Sequence, residues 1–111
     1  MQRANLSGAN LTSARLPLAN LTRANLSRVR AVGARMTAAG LSQANLTGAD
    51  LTGARLNGTI MFTRANLTGA NLSRANLGSA MLLNATVTGV DLSGARLTNV
   101  AGTGRVKLFK L

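Results

Sequence analysis

The chain has no cysteine, histidine, tryptophan, tyrosine or glutamate. Each absence excludes something. Without cysteine there is no disulfide and no thiol chemistry. General acid–base catalysis needs a positioned group whose pKa can be tuned, and only Asp50 and Asp91 remain as carboxylates. The many serines and threonines have no base to activate them. Metal ligation requires clustered His, Cys or carboxylates, so no metal and no cofactor is expected. A phosphate-binding P-loop is missing as well, because Gly102-Thr103-Gly104 is too short a glycine motif to count as one. Aromatic residues are limited to Phe62 and Phe109, which leaves no platform for stacking nucleobases. Hydrophobic runs are short: Ile60-Met61-Phe62 and Ala80-Met81-Leu82-Leu83 fall far below a membrane span. Met1-Gln2-Arg3 leads into patterned sequence with no apolar leader segment. A non-enzymatic, cytoplasmic protein is the expectation.

Hydrophobic residues nevertheless make up 46% of the 111 positions, enough for one folded domain. They are nearly all leucine and alanine, which suits a narrow interior filled by the same small volume many times over. Thirteen Lys and Arg against two Asp give a formal charge of +11. Such an excess favours anionic partners such as nucleic acid, anionic lipid or an acidic protein; it also serves solubility alone.

The dominant signal is an internal repeat. Leucine or a substitute recurs every five residues from Leu6 through Leu11, Leu16 and Leu21 to Leu56 and Met61. A small residue stands two positions before each, as at Ala4, Ala9, Ala24 and Ala44. The frame then slips by one residue near 59–64 and resumes at Leu67, Leu72 and Leu77, running on to Leu97. A period of five matches neither a helix nor a plain strand. Residues two apart share one side of extended backbone, so Ala and Leu face inward together. The residue between them and the Ser or Thr after the Leu face outward. A Gly, Arg or Ser then lets the chain turn.

Ala4-Asn5-Leu6-Ser7-Gly8, Ala44-Asn45-Leu46-Thr47-Gly48 and Ala49-Asp50-Leu51-Thr52-Gly53 resemble the pentapeptide-repeat family, whose consensus is close to A-[DN]-L-[ST]-x. The resemblance covers most of the chain. It implies an all-β fold, a right-handed quadrilateral β-helix of about five coils with four pentapeptides per coil. The expected extent is residues 1–101, followed by a basic-apolar tail or cap at 102–111. The residues support a 20-residue super-period: every fourth outward position reads Asn5, Asn25, Asn45, Asn66, Thr86 on one side, and Arg15, Arg35, Arg55, Asn76, Arg96 on another. The extra residue should therefore bulge locally without shifting later coils. With strands about 4.8 Å apart, five coils predict a rod on the order of 25 Å long.

Three features depart from the repeat and are the candidate sites. Arg15, Arg35, Arg55 and Arg96 should form a column interrupted by Asn76, a candidate anion-binding face or a solvated one. Arg23, Arg28, Arg64 and Arg74 belong to corners or to the slip, and Arg30 is placed to pair with Asp50 one coil on. Ile60, Phe62, Met81 and Leu83 should form an outward apolar patch, a candidate protein interface; the alternative turns Phe62 inward. The tail carries Lys107, Phe109 and Lys110, suited to capping the last coil or to contacting a partner or membrane surface. Open coil ends invite stacking of copies.

Two functions follow. One is a rigid rod that docks onto a protein partner, or onto further copies of itself, through its faces and ends. The other is sequence-independent electrostatic binding of nucleic acid or another polyanion along the arginines. Some members of the family protect DNA gyrase by mimicking DNA; a positive surface argues against that role here.

Overall fold

The computed structural model describes residues 3–58 and 62–100. The chain winds as a square coil whose corners recur every five residues. Each corner is a tight turn in which the N–H after the turn donates to the leucine carbonyl before it, as from Ala24 to Leu21 at 3.0 Å and from Ala75 to Leu72 at 3.0 Å. The second central residue of the turn always has positive φ. Among the described residues, twelve non-glycine residues, including Arg3, Leu18, Arg28, Arg74 and Asn99, and eight glycines fill this position with φ between 55° and 79°. One left-handed residue at that place is the signature of a type II turn. Four corners per turn of the helix give five coils.

Successive coils are joined by parallel bridges between outward residues. Asn5 pairs with Asn25, Asn25 with Asn45, Asn45 with Asn66, and Asn66 with Thr86. Each bridge is closed by two backbone bonds: Leu26 N–H donates to Asn45 at 2.7 Å, and Asn45 N–H donates back to Ala24 at 3.0 Å. Because each coil contributes only one bridged residue per side, the sheets are four narrow ladders rather than long strands. The pairs are 20 apart in sequence before the slip, 21 apart across it (Asn45 with Asn66, Asp50 with Asn71, Arg55 with Asn76), and 20 again afterwards. One coil absorbs the extra residue, and the stacking above and below keeps its register. The fold is the right-handed quadrilateral β-helix that the resemblance implied. It measures 29 × 23 × 23 Å, close to the expected length and nearly as wide as it is long.

The interior is a stack of leucine and alanine. Leu21, Leu26, Leu41, Leu46, Leu51, Leu56, Leu67 and Leu77 are fully buried, with Ala24, Ala44, Ala54, Ala65 and Ala75 between them. Each buried leucine contributes about 1.5–3 kcal/mol. Leu6, Leu11 and Leu16 in the first coil are only partly buried against this core, because neighbouring coils cover one side of them only.

One expectation is overturned here. Phe62 does not face outward; it is completely buried and is the bulkiest residue of the core. Phe62 N–H donates to Met81 at 2.9 Å, and Ala65 N–H donates to the Phe62 carbonyl at 2.8 Å. Those are the bonds that a leucine makes at this point of a repeat. Counting back five from Leu67 reaches Phe62, so the later frame begins at Phe62 rather than at Leu67. The hydrophobic effect drives this choice, since a phenylalanine in the leucine slot removes the largest apolar surface in the segment from water. Ile60 and Met61 lie outside the described residues, as do the tail residues Lys107, Phe109 and Lys110.

Candidate binding face

The residue before each leucine points away from the core, and its identity decides how the neighbouring corner is satisfied. Where it is Asn or Asp, its Oδ1 accepts the N–H two residues on, and often that residue's hydroxyl as well. Asn45 Oδ1 accepts from Thr47 N at 3.0 Å and Thr47 Oγ1 at 2.6 Å; Asn66 and Thr68 repeat the arrangement at 3.0 and 2.6 Å. Asp50 does the same with Thr52 at 3.1 and 2.6 Å. The Asp50 carboxylate is thus engaged by its own corner, although Arg30 stands opposite it across a backbone bridge. Asp91 accepts from Ser93 N at 2.9 Å and Ser93 Oγ at 2.6 Å, and these bonds hold its carboxyl below the usual carboxylate range.

The arginine column is built on the third face. Arg15 bridges to Arg35, Arg35 to Arg55, Arg55 to Asn76 and Asn76 to Arg96. All four arginines are exposed and Asn76 is half-buried. Arginine cannot accept a hydrogen bond, so the Asn-type corner lock is lost wherever it replaces Asn. Two residues after the first arginine stands Pro17, which has no N–H to satisfy and favours this position of a type II turn. Two residues after Arg35, Arg55 and Arg96 stand Thr37, Asn57 and Thr98, whose N–H groups have no such side-chain acceptor. Bridged arginines repel by roughly 1 kcal/mol per pair in water. Only Asn76 restores the lock, donating nothing through Oδ1 and accepting Gly78 N–H at 3.0 Å.

Around that asparagine the surface is concave. An open depression of about 460 Å³ is lined by Arg55, Arg74 and Arg96 together with Thr37, Gly53, Asn57 and Asn76. Arg74 comes from the adjacent corner, with φ 58°. Its stem lies against the next corner, where a side chain on Gly94 would begin 3.3 Å from Arg74 Cγ. Arg28 lies over Gly48 in the same way, also at 3.3 Å. Arg23 is held differently, Nε donating to Gln43 Oε1 at 2.7 Å. The concavity and the part played by Arg74 were not foreseen from the sequence. The signal was present: an Asn in an arginine column leaves a gap, and Arg74 occupies a corner whose stacked neighbours Gly33, Gly53 and Gly94 are glycines.

The apolar candidate patch shrinks. Phe62 is inside the core, Met81 is half-buried and Leu83 is 40% exposed. A more exposed apolar side chain stands elsewhere: Leu18, 79% exposed at a first-coil corner. Among the described residues no group of three or more metal-ligating side chains comes together, and no helix is long and apolar enough to cross a membrane.

A family model for pentapeptide repeats matches eight copies in this chain, over residues 4–43, 33–61 and 62–99. The chain belongs to the pentapeptide repeat family. Among solved pentapeptide repeat structures, Rfr23 from the cyanobacterium Cyanothece 51142 is 35% identical with a TM-score of 0.82, over 86% of this chain and 65% of that one. HetL from the cyanobacterium Nostoc sp. strain PCC 7120, described as involved in heterocyst differentiation regulation, is 33% identical with a TM-score of 0.59, over 89% of this chain and 60% of that one. The chain thus spans less than two thirds of the length of either relative. No curated protein matches it in sequence.

Proposed function

We propose that this pentapeptide repeat protein is a non-enzymatic scaffold that binds the phosphate backbone of nucleic acid along its third face, without reading base sequence. The observation that carries this is the series of bridges that stacks Arg15, Arg35 and Arg55 one coil apart and resumes at Arg96 beyond Asn76. Like charges held at strand spacing are relieved by a linear anion that lies across them, and counter-ions displaced from that anion supply affinity. Arginine suits phosphate because its planar fork matches two oxygens at once. The uncapped N–H groups of Thr37, Asn57 and Thr98 add neutral donors beside the column. Sequence-independent binding follows from the lack of an exposed aromatic residue among the described residues, where Phe62 is buried.

Docking onto a protein through an apolar patch is less well supported. Once Phe62 has joined the core, Leu83 and part of Met81 are what remains of that patch among the described residues, well below the area of a specific interface. A DNA-mimic role is disfavoured by the charge of +11.

The test is binding of a labelled DNA duplex by the wild-type chain and by a variant with Arg15, Arg35, Arg55 and Arg96 all replaced by Gln. Binding by the wild type and its loss in the variant support the reading. Equal binding by both would sink it. Poly-glutamate as competitor separates phosphate recognition from a general preference for negative charge: weak competition is expected.

A further inference from the structure

The arginine column is not uniform, and its interruption is its most shaped part. At Asn76 the side chain is short while Arg55 stands one coil before and Arg96 one coil after. Arg74, from the neighbouring corner, also lines the open depression of about 460 Å³. We infer that this notch is a binding site for a single phosphate group, gripped by Arg55, Arg74 and Arg96 over the Asn76 amide. The inference rests on the same face as the proposed function but makes a narrower claim.

The chemistry of the lining supports one class of ligand. Three arginines and no carboxylate are among the lining residues. The polarity of the Asn76 amide is also set. Its Oδ1 is taken by Gly78 N–H at 3.0 Å, so its NH₂ is the end left to donate. Asn57, two residues after Arg55, lacks the Asn-type acceptor for its own N–H, and its Oδ1 accepts from the Thr37 hydroxyl, also in the lining, at 3.5 Å. The three arginines and the Asn76 amide are the donors left for a ligand, and a tetrahedral oxyanion with several acceptor oxygens is the complementary shape. Its volume exceeds that of one phosphate, which leaves room for the sugar or chain to which the phosphate is attached. Lacking an apolar or aromatic wall, it has nothing to hold a base.

Asn76 also explains why the gap exists without loss of fold. An arginine there would continue the column, add two repulsive contacts and remove the Gly78 lock. The absence of a side chain at Gly94 gives the Arg74 stem room to lie against that corner.

The experiment is isothermal titration of inorganic phosphate into the protein at constant ionic strength, with chloride as the reference salt. Asn76→Asp keeps an Oδ1 acceptor for Gly78, as Asp50 and Asp91 show for their own corners, yet puts a negative charge on the floor. Arg74→Gln removes one wall. Arg28→Gln removes an exposed charge from a different corner, outside both the column and the notch, and serves as the control for a diffuse field. Circular dichroism checks that each variant folds. Phosphate binding that falls at least tenfold in Asn76→Asp and Arg74→Gln, and is unchanged in Arg28→Gln, is the expected result. Heat indistinguishable from that of chloride, or an equal loss in Arg28→Gln, overturns the site. Addition of a DNA duplex tells the two sources of phosphate apart. Displacement of bound phosphate by the duplex assigns the notch to the polymer backbone. Phosphate that binds the notch while the duplex fails to bind at all leaves the site standing and removes the proposed function; duplex binding without phosphate binding does the reverse.

Discussion

Arg35 and Arg55 stand opposite each other across a parallel bridge, one coil apart on the same outer face. Neither can lock the corner that follows it, and each repels the other. This pair is a local sacrifice of stability on a scaffold that elsewhere repeats its most favourable unit.

Replacing Arg35 by Asn should therefore stabilise the protein. The substitution rebuilds the Asn-x-Thr lock with Thr37, as seen at Asn45 and Thr47, and relieves repulsion on both sides. The expected gain is about 1 kcal/mol in low salt, smaller in high salt. Thermal unfolding at two ionic strengths checks it; a loss of stability in low salt would refute the cost assigned to the column.

Phe62 behaves as a core residue. Phe62→Leu should be tolerated, because leucine is the ordinary occupant of that slot, whereas Phe62→Ser should lower stability by about 3–5 kcal/mol. Leu46→Asp, in the middle coil, should abolish folding, since an unpaired carboxylate would sit among fully buried leucines and alanines. Denaturant titration of all three distinguishes an inward phenylalanine from an outward one, for which Ser would be harmless.

The corners make opposite demands on Leu18 and Gly58. Leu18 holds φ 60° with its side chain in water, so Leu18→Gly should stabilise by up to about 1 kcal/mol. Gly58 has φ 79°, and a Cβ there would meet Thr37 Cγ2 at 3.0 Å; Gly58→Ala should destabilise by about 1–2 kcal/mol. Unfolding midpoints of the two variants should move in opposite directions.

Asp91 gives the fold a weak acid dependence. Its carboxyl is held below the ordinary value of 3.8 by the Ser93 hydroxyl first and the Ser93 backbone N–H second. A depressed pKa contributes stability that is present above the unfolded value and is lost as pH falls through the folded one. Stability measured from pH 6 down to pH 2 should decline less steeply in Asp91→Asn, which retains the accepting Oδ1 without a titrating group.

Much of the fold was legible because the period of five is written in every unit, and the 20-residue recurrence of Asn and Arg reported the number of sides. The column of Arg15, Arg35, Arg55 and Arg96 was legible for the same reason: register alone places outward residues over one another. Phe62 was misplaced because an inserted residue leaves two frames open, and periodicity cannot choose between them; burial of the larger side chain does. The notch around Asn76 could not be read from the column alone, since Arg74 reaches it from a different position of the repeat.

The measurement that bears most directly on the arginine face is the dependence of duplex affinity on salt. Four arginines engaging phosphates should give a slope of log K against log salt of about −3 to −4, falling toward zero when all four are Gln. A wild-type slope near zero, or the same slope in both proteins, would contradict phosphate binding by this face.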